Sequence, residues 1–223
     1  MRKLRRVFKP LLGRSRSSSF RRLVQNALEH LETLKKLHHG RYVEDRKDTA
    51  RLLHEGLPKL ALSRCEQMIR HQNLMDAYGM MEGYLNLLRE RMHLLLAPGR
   101  ECPKELEEAV SSVVFAASRC EDFPELQEIK SVLSSRFGTE FAARAVELRN
   151  NNTVNHSIML KLSTRKPNLE SKMHLLRVIA SENGFTLQLN DKGEPISCTA
   201  TRQRKRGATS TKRTYRTRSS SRK

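Results

Sequence analysis

The sequence has no tryptophan, and aromatic residues make up only 5% of it. So few rings argue against a β-sandwich or barrel, whose strands draw on aromatic and β-branched side chains. No apolar run reaches the roughly 18 residues that a membrane-spanning helix needs. The N-terminus is basic but no apolar stretch of about seven residues follows it, so a secretory signal is not expected. Cysteine is sparse: Cys65, Cys102, Cys120 and Cys198 stand far apart, which predicts reduced thiols in a cytosolic protein. Chemistry-bearing patterns are missing too. The glycines are isolated, so no loop cradles a phosphate, and the Cys102–Cys120 separation is not a zinc spacing. His38 and His39 are adjacent and point to different sides of a helix, where they cannot chelate together. Cys65 falls in an apolar stripe and reads as a small core residue, not a nucleophile. Glu105, Glu107 and Glu108 cluster where a helix begins and complement its dipole. No catalytic group, cofactor or metal site is expected, and the chain reads as a non-enzyme.

The last absence concerns charge of one sign. Residues 1–22 hold nine Lys/Arg and no acid, and residues 195–223 hold ten and no acid. These ends account for the whole formal charge of +19, leaving 23–194 neutral with 24 groups of each sign. With 37% hydrophobic and 30% charged residues, the 223-residue chain reads as one soluble, helix-rich domain between two cationic ends.

Along that domain the apolar spacing is helical. Leu4, Val7, Phe8 and Leu11 share one face of a short cationic segment over 1–18, suited to a membrane interface, with a basic arm lacking fixed structure as the equal alternative. Phe20, Val24, Leu28, Leu31 and Leu34, then Tyr42, Val43, Ala50 and Leu53, predict one helix from Phe20 to His54. Gly56-Leu57-Pro58 closes it and opens a second, to about Leu96. Two such helices joined by a tight turn must lie antiparallel, so the fold class expected is all-α, built on a long α-hairpin. Shorter helices follow: one after Pro103 to Ala117 with Leu106, Val110, Val113 and Val114 inward, one over Pro124–Phe137, and a piece from Thr139 to Leu148. Two more run from Val154 to Leu162 and, capped by Asn168, from Leu169 to Glu182 with Met173, Leu175, Val178 and Ile179 buried. Phe185, Leu187 and Leu189 give a weak strand signal. The organisation expected is a basic segment over 1–18, a helical domain over 19–187 and a disordered Arg/Lys/Ser/Thr-rich tail over 188–223.

Several blocks then resemble a known family. Arg64-Cys-Glu-Gln-Met-Ile-Arg70, the stretch from Glu101 to Leu126, Phe137-Gly-Thr-Glu-Phe-Ala142, Val154-Asn155 and Lys161-Leu-Ser163 match, in order and spacing over about 20–187, the increased-sodium-tolerance family. These are ESCRT-III-like regulators of the multivesicular body pathway. One departure is Ser118, where the family usually has proline. The resemblance implies an ESCRT-III-like helical bundle that binds ESCRT-III subunits of the charged multivesicular body protein and Did classes. It also implies homo- or hetero-polymers on membranes and modulation of the AAA sorting ATPase that disassembles them. The expected address is cytoplasmic, peripheral on endosomal membranes. An anionic membrane surface would engage Arg2, Lys3, Leu4, Arg5, Arg6, Phe8, Lys9, Arg14, Arg16, Arg21 and Arg22. Because the resemblance falls on Arg64, Glu66 and Arg70, these are candidates for contact with a neighbouring subunit.

The tail departs from the family. It lacks the short helical or proline-containing motifs with which longer members dock on the ATPase, which argues against direct docking and leaves two alternatives: regulation through an ESCRT-III partner, or a divergent paralogue without that step. Rival readings attach to the ends. Arg204-Lys205-Arg206 suits nuclear import or non-specific nucleic-acid binding, although Tyr215 alone gives no stacking platform. The acid-free, Arg/Ser-rich residues 1–28 resemble a transit peptide, and phosphorylation of tail Ser/Thr would weaken membrane attraction.

Overall fold

The computed structural model describes residues 13–200 apart from Arg100 and Glu121, with 13–16 described by backbone alone. The apolar face at Leu4–Leu11 and the tail beyond 200 lie outside the described residues. Helix α1 runs Gly13–His54 and α2 runs Pro58–Glu90. At 1.5 Å per residue they are about 63 and 50 Å long, and they pack antiparallel. Between them Gly56 takes φ 74°, a left-handed turn that only glycine adopts without strain.

Both ends of the hairpin differ from the sequence expectation. Helix α1 begins at Gly13, inside the stretch assigned to a separate basic segment. Helix α2 stops at Glu90, and Arg91 (φ −93°, ψ 25°) turns the chain into a one-turn helix, α3, Met92–Leu95. Continuing straight would have carried Met92 and Leu95 past the core; the break lets both bury. Arg136 fixes this corner: its guanidinium donates to the carbonyls of Leu95 (2.8 Å), Ala97 and Gly99. A cation is favourable there because the last carbonyls of a helix lack intrahelical partners.

The shorter helices cross the hairpin. Helix α4, Lys104–Ala117, is buried at every residue from Ala109 to Ala117, more completely than one inward face predicts. It is apolar nearly all round because it lies inside the bundle, against α2, α5 (Pro124–Phe137) and α6 (Thr139–Glu147). Its two buried hydroxyls are satisfied by the segment before α7 (His156–Lys161): Ser111 pairs with Thr153 at 2.8 Å, and Ser112 accepts the Asn155 N–H at 3.0 Å. At the departure from the family pattern, Ser118 ends α4 and its hydroxyl bonds the Phe115 carbonyl at 2.6 Å.

Helix α8, Leu169–Glu182, returns along the hairpin tip, with the Asn168 side chain accepting from the Ser171 N–H as expected of its N-cap. Its buried face is Met173, Leu176, Ile179 and Ala180; Leu175 is half-buried and Val178 exposed, which corrects the expected inward set. Strand β1, Phe185–Leu189, pairs antiparallel with β2, Pro195–Ala200. Strand β2 lies within 188–223, so the disordered tail expected there does not include 195–200. Packing holds this strand: Pro195 is buried, and the Cys198 thiol donates to the Leu53 carbonyl at 3.0 Å.

Candidate functional site

The hairpin has two apolar cores. One gathers Phe20–Leu31 of α1, Ala77–Leu88 of α2 and helices α3 to α7. The other, at the tip, gathers Leu52, Leu53, Ala61, Cys65 and Met68 with the buried face of α8. Between them lies a polar waist. There His38, 8% exposed, meets His71 at Nδ1–Nδ1 2.9 Å, and Asp45 reaches toward His71 Nε2 at 3.7 Å. Thr49, fully buried, donates to the Asp45 carbonyl at 2.7 Å. Only one proton fits between two facing imidazole nitrogens, so one ring donates and the other accepts. Burial pushes both imidazoles below their ordinary range. At His38 the neighbouring His71 and Arg41 add to this; at His71, Asp45 opposes it.

Over this waist runs an open groove of about 500 Å³. Tyr42, Ile69 and Leu175 give it an apolar strip, Gln72 and Asn73 line it from α2, and Glu170, Ser171, His174 and Arg177 line it from α8. The α2 wall is held in place by its neighbours. Gln72 donates to Asp76 at 2.8 Å, and Lys161 from α7 bridges Asn73 and Asp76. The groove therefore offers a fixed polar wall, an apolar strip, and one acid and one base on α8. That combination suits a short amphipathic segment better than a small metabolite.

Sequence reasoning did not find this groove, because it needs residues about a hundred positions apart. Its one local signal was Leu175, read as core and found half-buried. Of the candidate membrane residues, Arg2, Lys3, Leu4, Arg5, Arg6, Phe8 and Lys9 lie outside the described residues. Arg14 and Arg16 stand in the first turn of α1, while Arg21 and Arg22 are exposed on it. The candidate contact residues have partners inside the chain. Arg64 lies 3.5 Å from Asp45, and Glu66 bridges Arg70 at 3.0 Å and Lys172 of α8 at 3.4 Å. Partial burial pushes the Glu66 carboxyl up, but the bonds from Arg70 and Lys172 outweigh it and leave the group below its ordinary range. Cys65 is fully buried, which pushes its thiol up to about 12 and suits packing, not nucleophilic attack.

A long α-hairpin crossed by short helices is the architecture of an ESCRT-III-like helical bundle. The chain belongs to the Ist1 family, regulators of Vps4 activity in the MVB pathway, whose model matches residues 21–186. This is the increased-sodium-tolerance family that the sequence blocks resemble. An IST1-like protein of Dictyostelium discoideum is 27% identical over 156 residues, covering 70% of this chain. The chain spans 42% of the length of that relative. The crystal structure of the S. cerevisiae Ist1 N-terminal domain in complex with the Did2 MIM motif superposes with a TM-score of 0.66 at 20% identity. That match covers 74% of this chain and 91% of the other.

Proposed function

We propose that this chain is a non-catalytic ESCRT-III-associated scaffold in multivesicular body sorting, and that the waist groove docks a short amphipathic motif of a Did-class or related ESCRT-III subunit. The observation that carries the reading is the groove itself: Ile69 and Leu175 beside the fixed wall of Gln72 and Asn73. The yeast relative of the same fold is seen with the Did2 MIM motif, which supports a short motif of such a subunit as the occupant. The chain modulates the AAA ATPase through such a partner. It sits peripherally on the cytoplasmic side of endosomal membranes, held by the basic residues of 1–22, and joins homo- or hetero-polymers. Contact with a neighbouring subunit falls to Arg64, Glu66 and Arg70, of which Arg64 and Arg70 are exposed and Glu66 also pairs with Lys172.

Titration with a synthetic Did-class C-terminal peptide tests the groove. Ile69→Asp and Leu175→Asp should each weaken binding at least about tenfold, since a carboxylate must be desolvated against an apolar ligand. Exposed Val178→Asp on the same helix should leave binding unchanged. Equal affinity across all three variants would place the motif elsewhere. In cells, accumulation on swollen endosomes under a hydrolysis-dead ATPase is expected. A nuclear signal indifferent to that ATPase would overturn the sorting role.

A further inference from the structure

The first two turns of α1 carry a pattern that scaffolding leaves unused: Arg14-Ser15-Arg16-Ser17-Ser18-Ser19-Phe20. Arginines stand five and three positions before Ser19, and an apolar ring follows it directly. Protein kinases with acidic substrate clefts select this arrangement, because two guanidiniums at fixed distances meet cleft carboxylates while the following apolar residue enters a pocket.

The structure separates Ser17 from Ser19; Ser18 is exposed as Ser19 is, but stands four and two positions after the arginines. Ser17 is half-buried and its hydroxyl donates to Met92 Sδ at 3.4 Å, whereas Ser19 is exposed. Among the residues of α1 whose side chains are described, Phe20 is the first buried one, and Ser18 and Ser19 just before it are exposed. The first turn of α1 holds no acid to offset the helix dipole and already contains Arg14 and Arg16. Helix ends with few buried contacts open at low free energy. The eight residues from Gly13 to Phe20 can therefore take the extended form that a kinase cleft needs, at the cost of drawing the Phe20 ring from the edge of the core, while Val24 and the residues beyond it stay packed.

We propose that Ser19 is a phosphoacceptor for an arginine-directed serine/threonine kinase. The Ser19 hydroxyl oxygen bonds the γ-phosphorus of ATP, the bond to the bridging oxygen breaks to release ADP, and the hydroxyl proton leaves to the kinase base and then to solvent. On the re-formed helix the phosphate has the exposed Arg22 three positions on, within reach along one face. It also removes about 1.5–2 charges from a segment whose nine cations have no acid among them. The modification would thus weaken attachment of that segment to anionic lipid. This consequence rests on the membrane reading above; the modification itself does not.

The test uses the purified full chain, ATP and the catalytic subunit of an arginine-directed kinase, with the phosphate located by mass spectrometry. Phosphate on Ser19, lost in Ser19→Ala and strongly slowed in the Arg14→Ala, Arg16→Ala pair, is the expected result. Phosphate only on the 201–223 tail, or on Ser17 or Ser18 in preference to Ser19, would overturn the assignment. Sedimentation at low salt with vesicles of phosphatidylcholine and about one-third phosphatidylserine then reads the consequence. The phosphorylated chain should bind about tenfold more weakly than the unmodified one. Unchanged vesicle binding with Ser19 fully phosphorylated would overturn the lipid consequence and leave the acceptor site standing.

Discussion

The guanidinium of Arg136 supplies a cap that the sequence at 96–99 lacks. It donates to three carbonyls at the end of α3 and lies over the Phe137 ring at 5.3 Å. Charge-assisted bonds to a helix C-terminus are worth about 1.5–3 kcal/mol. Arg136→Ala should therefore destabilise the chain by about 2 kcal/mol in urea unfolding. Arg136→Lys should recover less than half, since one ammonium cannot span three acceptors. A loss under about 0.5 kcal/mol would reduce the cap to an ordinary surface contact. The waist histidines give a second prediction, with a sign. Both imidazoles are held below the ordinary value of 6.5 in the folded chain. Between that value and their lower folded values the unfolded chain binds more protons, so stability present at neutral pH is lost as pH falls below about 6.5. A His38→Gln, His71→Gln double variant should lower stability at neutral pH and flatten its fall on acidification. A wild-type fall no steeper than the variant's would sink this account. Neither Arg136 nor the histidine pair was readable beforehand, because each works on groups 33 or more positions away.

At the scale of elements, the hairpin was legible and its surroundings less so. Periodicity and the Gly56-Leu57-Pro58 break placed α1 and α2 because long helices declare their buried face many times over. A single α8 face, sampled over four turns, did not. Leu175, Leu176, Val178 and Ile179 are all apolar, and only the contact with α1 and α2 decides which turn inward. Leu176→Ala should cost about 2–5 kcal/mol and Val178→Ala under about 0.5, because the first side chain is fully buried and the second is 38% exposed. Reversed magnitudes in thermal or urea unfolding would put the helix in the face first read from sequence. Strand β2 escaped notice for a related reason. Only Ile196 and Thr199 of its six residues favour a strand, too few to show an alternating pattern, and it persists through the pairing with β1 and the Cys198 contact to the hairpin tip. The same tertiary pull governs Glu66 and Arg70. Read locally they are an ordinary i, i+4 pair whose exchange should be neutral. The exchange also replaces the carboxylate facing Lys172 with a second cation, so it carries a cost the local reading omits.

At the scale of the whole molecule, the proposed membrane attachment would be set by the cationic ends that flank a neutral bundle. Among the described residues no helix is long and apolar enough to cross a bilayer; the peripheral attachment proposed above would draw on charge and on shallow insertion. Each Lys or Arg close to an anionic leaflet contributes about 1 kcal/mol within a Debye length. Four engaged at once give about 4 kcal/mol, a millimolar affinity. A single copy at physiological salt would then spend most of its time in solution. Copies joined through a polymer multiply the contacts without adding any new one, because linked sites bind at high effective concentration. Vesicle sedimentation at physiological salt should therefore show little of the chain bound alone at micromolar concentration. Addition of a Did-class subunit should raise the bound fraction by more than the sum of the two. The Ile69→Asp variant should lose the added part and keep the small basal part, since the groove and the basic end act separately. Strong binding by the chain alone, persisting in high salt, would instead make apolar insertion by Leu4 and Phe8 the main attachment and remove the need for avidity.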